Sequence, residues 1–470
     1  MSAFAAWSRP EDAGVSSAGL RGFIRAAREA TGSVQFHSLI LLRHGKTVCR
    51  MNWPPYDDTT PHTLYSLSKS FCSAAAGFAV SEGLLKWDSS VWNVLPEEIP
   101  EGRDDLKNVT LETLLCMGSG LDPESDSQPS DQSVTWAGHV LSHKLLYAPK
   151  THFHYNTMGT YLVSCMVQKA AGQNIRDYLM PRLFEKLGIE KPQWDMSPQG
   201  VCCGGFGLHL SSEDIARFGQ CLLHHGMWNG QQVLPKGWME LATREHIANY
   251  EGERQEGNEW GQGYGFQFWR CMDGRFRGDG MYGQICMVDE KRDAVLAVTC
   301  GAADMGLEMK LFRDHIWAAF DAAPSPDAEW EALKKDISDL SYPLPEDDGS
   351  DICIPEYACK AEINGTDFYL SFARSAYGTL RLRLGSSPEE SAEIYLGRGK
   401  PAPAAVFGWR SWNTRYFGMY AVRDRALYIS LRSPGDPNTW EGRFSFEGST
   451  VVFDGYGIGF PNGKIVFQKA

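Results

Sequence analysis

Ser66 and Lys69 are spaced to do chemistry together. They lie in Leu64-Tyr65-Ser66-Leu67-Ser68-Lys69-Ser70-Phe71, ahead of the small-residue run Cys72-Ser73-Ala74-Ala75-Ala76-Gly77. On a helix, residues three apart share a face, which brings the amine to the hydroxyl. An amine held neutral there can take the hydroxyl proton and turn the serine into a nucleophile. A serine at a helix start also has unpaired backbone N–H groups beside it, suited to stabilising negative charge on an attacked carbonyl. An isolated Ser-x-x-Lys is usually an exposed helix start, so the rest of the chain decides its weight.

The residue types that serve other chemistries form weaker patterns. His37, His44, His62, His152, His154, His224 and His225 contain no helix-spaced ligand pair. A Ser-His-Asp triad stays open on spacing alone, because triads are defined by geometry. Twelve cysteines in 470 residues are too few for a disulfide scaffold, and Cys353 to Cys359 is not a zinc spacing. They read as small buried hydrophobes in a reducing cytoplasm, with no metal and no cofactor expected. The net charge of −13 argues against nucleic acid and against electrostatic docking on anionic membranes. No basic segment leading into an apolar stretch opens the chain, and no run is a credible membrane span. Cytoplasmic location follows as an expectation; the sequence sets no oligomeric state.

The elements that must position Ser66 and Lys69 are legible in outline. Val34 to Leu42 and Lys46 to Trp53 read as strands turned at His44-Gly45. The Ser66 helix should run to about Gly83. Residues 84 to 160 carry short helices broken by Pro96, Pro100, Pro123 and Pro149, with a polar, acidic stretch from Asp122 to Ser133. Ser211 and Asp214 form a helix-start signal for Ile215 to Leu223. Gln284 to Asp289 and Ala294 to Cys300 are apolar strands, and Leu307 to Phe320 a closing helix. Strands at both ends of this region imply one antiparallel sheet assembled from both ends of the domain. Three parts are expected: a domain over 1–321, a linker over 322–351 holding a helix near Trp330 to Leu340, and an antiparallel β domain over 352–470. That last region alternates short strand-like runs with Gly, Asn, Asp and Pro at even spacing, the mark of a small barrel or sandwich.

Four segments add a resemblance. Ser38 to Lys46 looks like a family's first hairpin. Val109-Thr110-Leu111-Glu112-Thr113-Leu114-Leu115-Cys116-Met117-Gly118-Ser119-Gly120-Leu121 is similar to its "T-x-x-x-L-L-x-x-x-S-G-L" segment. Phe153 to Leu162 resembles its second catalytic box, and Gly204 to Leu208 with Asp214 to Gly219 its later "G-G-x-x-L…D-x-A-R-F-G" run. In order over about 300 residues, they resemble the β-lactamase-related serine hydrolases, the kin of class C β-lactamases, D,D-peptidases and esterases. The resemblance implies an α+β fold, an antiparallel sheet flanked by helices with a helical subdomain, followed by an all-β domain that in some relatives is lipocalin-like.

By this resemblance Ser66 is the acylated nucleophile, Lys69 its general base, and Tyr155 the phenol that relays a proton. The backbone N–H groups of Ser66 and Met281 form the oxyanion hole. Thr157 stands where the family has an asparagine, which puts amide recognition in doubt, and Asn156 beside it is a candidate substitute. The third box, Lys-Thr-Gly or His-x-Gly in relatives, corresponds to Gly278-Asp279-Gly280, so the usual cation is missing. A lysine placed at 278 should restore capture of carboxylates if that position faces the pocket, while Asp279 is a candidate for binding a substrate amine or hydroxyl. The expected activity is hydrolysis of a small ester, carboxylesterase-like, through a Ser66 acyl-enzyme. The alternatives are an amidase or D-aminopeptidase, weak penicillin binding, acyl transfer to another acceptor, and a non-catalytic ligand sensor.

Overall fold

Alternating apolar residues make a hairpin of Val34–Arg43 (β1) and Lys46–Asn52 (β2), turned at His44 and Gly45 with φ of 52° and 68°. The computed structural model describes residues 4–131, 133–374, 379–387, 389–402, 405–409 and 412–470, with side chains described outside 405–409 and 412–414. Far along the chain come Trp269–Arg270 (β3), Phe276–Gly280 (β4), Gln284–Asp289 (β5) and Ala294–Ala302 (β6). The sheet order is β2-β1-β6-β5-β4-β3, antiparallel throughout, and β1 lies on β6 with Val34 opposite Ala302. The two ends of the domain are thus joined through the centre of one sheet.

Strand alternation sends side chains to two cores. Ile40, Leu42, Val295 and Ala297 face one, with Ser68–Ser81 (α1), Thr157–Ala171 (α2) and Ser212–Leu223 (α3). Leu39, Leu41, Leu296 and Val298 face the other, with the helices Ser17–Glu29 and Met305–Leu311. α3 starts on the foreseen capping box, in which Ser211 and Asp214 each hold the other's backbone N–H. Between α1 and α2 the chain forms short helices, including Leu111–Leu115 and Trp136–Ser142, which pack into the first core.

The expected linker is divided. Its helix, Asp327–Ser338, packs on Ser17–Glu29, where Arg21 pairs with Glu329 at 2.8 Å and with Asp336 at 2.7 Å. Leu333, Leu340 and Tyr342 are buried in the second core, so the polar exterior of this segment concealed an inward face. The following residues lead into a closed barrel of nine strands, Cys359–Ile363, Thr366–Arg374, Leu380–Gly385, Ser391–Arg398, Trp412–Arg423, Ala426–Arg432, Thr439–Glu447, Thr450–Ile458 and Gly463–Lys469. Closure is parallel, not antiparallel, through Gly397 and Arg398 against Met419 and Tyr420. The strand-like runs of the sequence at Ala361 to Ile363, Phe368 to Phe372, Leu380 to Leu384, Ala392 to Leu396, Tyr420 to Val422, Ala426 to Leu431, Gly442 to Phe446 and Thr450 to Phe453 all fall on strands; Gly463–Lys469 escaped notice because its inward face offers little beyond Ile465 and Phe467. Among the described residues no helix is long and apolar enough to cross a membrane.

Candidate active site

Ser66 sits on a sharp turn. His62–Thr63 pairs with Leu208–Leu210, and Leu64 N–H bonds Leu208 O at 2.8 Å, so the approach to the serine is tethered. Tyr65 then takes a left-handed conformation at φ 46°, a strain of about 1 kcal/mol or more for a residue with a Cβ. A 3₁₀ turn over Tyr65–Leu67 carries Ser66, and α1 begins only at Ser68. The serine therefore belongs to the tight turn ahead of the expected helix, with Lys69 in the first turn of α1 three residues on.

Lys69 is buried, and its Nζ has three neighbours: Ser66 Oγ at 2.9 Å, Gly205 O at 2.7 Å and Thr157 Oγ1 at 3.3 Å. A neutral amine has two protons and one lone pair. Gly205 O and Thr157 Oγ1 accept the protons, which leaves the lone pair for the Ser66 hydroxyl. Burial lowers the Lys69 pKa from 10.5 to about 7, with the Asp126 and Asp279 carboxylates opposing the drop. Gly205 must lack a side chain, because a Cβ would lie 2.6 Å from Thr157 O.

The Tyr155 ring lies 4.9 Å from Lys69 Nζ. Burial first, then the nearby Asp279 charge, push its phenol well above the usual range, and the nearby Ser66 hydroxyl opposes this. The phenol stays protonated at neutral pH, so it can donate a proton while the amine accepts one. It stacks on Trp269 at 5.4 Å and 15°, with Tyr264 edge-on to both rings.

Two candidates around α2 take other duties. Asn156 is its N-cap: Oδ1 accepts Gly159 N–H at 2.6 Å and Nδ2 donates to Ser125 Oγ at 2.7 Å, in the buried interior. With both ends of its amide engaged, it does not stand in for the family's substrate-binding asparagine. Thr157 spends its hydroxyl on Lys69. The Asp122–Ser133 stretch, apart from Gln132, which lies outside the described residues, does border this site: Asp126 Oδ1 accepts Met158 N–H at 2.9 Å, and Asp126 is exposed.

The third box shows why the cation is absent. A Cβ at Gly278 would lie 2.5 Å from both Leu67 Cδ1 and Ser70 Oγ, and one at Gly280 only 2.1 Å from Leu64 O. β4 is pressed against the serine turn, so a side chain on the face of Gly278 has to displace Leu67 and Ser70, which weighs against the expectation that a lysine there would reach a substrate carboxylate. Arg277 and Asp279 point to the other face, as strand alternation requires. Arg277 Nε donates to Asp279 Oδ2 at 2.9 Å, Trp260 Nε1 donates to the same oxygen at 3.2 Å, and Arg277 Nη1 donates to Glu259 O at 3.1 Å. Both charged groups are buried, so Asp279 is occupied rather than offered to a substrate. Met281 heads the turn to β5. The Tyr65 and Tyr282 rings, next in sequence to Ser66 and Met281, meet edge to face at 5.5 Å.

Sequence reasoning missed the Gly205 carbonyl, the Trp269 wall and the Arg277–Asp279 pair. Only Gly205 left a trace, in the repeated glycines of Gly204-Gly205-Phe206-Gly207.

A 6-aminohexanoate-dimer hydrolase of Paenarthrobacter ureafaciens is 24% identical over 257 residues, half of this chain and 64% of that relative, under two thirds of its length. Among solved structures, EstCE1, described as a hydrolase with promiscuous acyltransferase activity, shares the fold over 65% of this chain and 99% of its own (TM-score 0.53, 17% identity). An octameric penicillin-binding protein homologue of Pyrococcus abyssi covers 96% of this chain and 99% of its own (TM-score 0.51, 15% identity), so the likeness extends into the C-terminal region. The sequence pattern of the Beta-lactamase family matches residues 23–306, more than half of the chain. By this match the chain belongs to the β-lactamase family.

Proposed function

We propose that Ser66 attacks the carbonyl of a small ester, with small linear amides as the second substrate class. The observation that carries this is Lys69 Nζ, buried and 2.9 Å from Ser66 Oγ, with two neutral acceptors for its own protons. The Ser66 proton passes to Nζ as Oγ bonds the carbonyl carbon, and the oxyanion rests on the Ser66 and Met281 N–H groups. As the acyl–leaving-group bond breaks, the leaving group takes the Tyr155 proton, which Lys69 replaces. Water, deprotonated by the same amine, then attacks the acyl carbon; the acyl–Oγ bond breaks as Ser66 Oγ takes that proton back from Lys69, and the acid is released.

The charges support neutral or amine-bearing acyl groups over carboxylates. Position 278 offers no cation, Arg277 is matched by Asp279, and the exposed Asp126 acts on Lys69 and Tyr155 through space. A protonated phenol at the leaving group keeps small amides in the substrate range beside esters, and the Paenarthrobacter relative, a 6-aminohexanoate-dimer hydrolase, supports that second class. A cytoplasmic setting is supported by twelve unpaired cysteines, eleven of them buried.

Intact-mass analysis after a fluorophosphonate and, separately, a penicillin tests this in wild type, Ser66→Ala and Lys69→Ala. One adduct that needs both residues is expected with the fluorophosphonate, and little or none with the penicillin. An unlabelled wild type, or full labelling of Ser66→Ala, sinks the assignment. Matched p-nitrophenyl esters with neutral, ammonium and carboxylate acyl groups then rank the charge preference.

A further inference from the structure

The two N–H groups assigned to the oxyanion hole belong to turns far apart in sequence, and the C-terminal barrel touches the supports of both. On the serine side, Thr63 N–H bonds Gly435 O at 2.8 Å, in the loop 433–438 of the barrel. The neighbouring His62 ring bonds Thr63 O at 2.9 Å and His37 of β1 at 3.0 Å. On the Met281 side, the Gln284 side chain donates to Met281 O at 3.1 Å and Cys300 O at 2.8 Å, and accepts Cys300 N–H at 3.2 Å. Ala302 N–H bonds Tyr282 O at 2.9 Å. The end of β6 therefore holds the Met281 turn, and the barrel holds the end of β6. Tyr456 donates to Gly301 O at 3.3 Å, while Pro437 O and Ile458 Cδ1 would each lie 3.4 Å from a Cβ at Gly301. One loop thus reaches both sides, through Gly435 and through Pro437.

We propose that the barrel is a working part of the reaction machinery: loop 433–438 and Tyr456 clamp the two turns that carry the Ser66 and Met281 N–H groups at a fixed separation. This rests on the acyl-enzyme reading of Ser66. Oxyanion donors act only when fixed about 2.7–3.1 Å from the developing charge, and a displacement of about 1 Å can cost about 100-fold in rate. Gly435, Asp436 and Tyr456 touch neither substrate nor reacting atoms; they are positioning residues. Asp436 shapes the loop by accepting Asn438 N–H at 2.7 Å, which an asparagine can also do.

The test uses the full chain as wild type, Asp436→Ala, Asp436→Asn, Tyr456→Phe and the double variant Asp436→Ala/Tyr456→Phe. It reads p-nitrophenyl butyrate kinetics over pH and the affinity of a phenylboronic acid, whose tetrahedral adduct on Ser66 imitates the intermediate. The double variant should lose about tenfold in kcat and a similar factor in boronate affinity, a fraction of the full value of one oxyanion donor. KM and the pH midpoint near 7 should not move, and Asp436→Asn should behave as wild type. Tyr456→Phe, which removes one hydroxyl, should show a smaller parallel loss and serves if the double variant fails to fold. Wild-type kcat and boronate affinity in the folded variants overturn the clamp, as does a change in KM alone. A wild type that accepts neither fluorophosphonate nor boronate overturns the Ser66 reading and the clamp together, whereas a labelled wild type with unaffected variants overturns the clamp alone.

Discussion

Replacing Lys69 with methionine should remove catalysis and at the same time change how stability depends on pH. The unfolded chain holds this amine at the ordinary 10.5, and burial in the folded protein lowers it to about 7. Between those values the unfolded state binds the extra proton, so wild-type stability rises with pH. At about 1.4 kcal/mol per pH unit, the whole drop corresponds to about 5 kcal/mol, a full penalty below pH 7 that is gone above about 10.5. Between pH 7 and 9 the relief amounts to about 2 kcal/mol. Methionine has a similar length and no charge, so its variant lacks this slope, but it leaves Gly205 O without its partner at a cost of about 1–3 kcal/mol. Lys69→Met should thus equal or exceed wild type at pH 7 and lose ground by about 2 kcal/mol at pH 9. Equilibrium urea unfolding of both proteins at pH 7, 8 and 9 measures the difference. In the same buffers, wild-type acylation by a fluorophosphonate should rise with pH around a midpoint near 7 and be absent in the variant. Parallel stability curves, or wild-type acylation that is flat across pH 6–8, would refute the argument that burial keeps this amine neutral.

Tyr155→Phe should slow anilide hydrolysis by about 100-fold or more and p-nitrophenyl ester hydrolysis much less, because nitrophenolate leaves without a proton; equal losses in steady-state kinetics would remove its role as donor to the leaving group. Gly278→Ala should destabilise the protein by about 1–3 kcal/mol through overpacking against Leu67 and Ser70, read as a lower urea midpoint, and should bring no gain on carboxylate substrates. Asn156→Ala should cost about 1–2 kcal/mol by uncapping α2 and raise protease cleavage in the Asp122–Ser133 stretch; a lowered rate with unchanged stability and cleavage would return Asn156 to the substrate-binding set.

Local pattern carried the central readings. Ser66 and Lys69 are three residues apart, so helical geometry alone brings them together once the turn forms, and the capping box at Ser211 and Asp214 needs no other part of the chain. Strand alternation likewise put Arg277 on the face opposite Gly278. For Asn156 and Thr157 the motif fixes residue types and offsets, whereas partners arrive through space: Ser125 lies 31 residues from Asn156, and Lys69 lies 88 from Thr157. The helix expected near Trp330 to Leu340 is present as Asp327–Ser338, but its buried side through Leu333 is hard to see among so many charges.

By itself the sequence determined the three-residue spacing of Ser66 and Lys69, the glycines at 278 and 280 and the presence of a β-rich C-terminal region, since these rest on short-range spacing and on composition that repeats. Tertiary structure alone decided what keeps the Lys69 amine neutral, as the proposed role of base requires. Its neutral form depends on exclusion of water and on a carbonyl 136 residues away. It also decided that position 278 is crowded by Leu67 and Ser70, because the distance between β4 and the serine turn is set by two segments about 200 residues apart packing in one core. Desolvation and close contact are properties of assembled surfaces, and no stretch of the chain contains them before it folds.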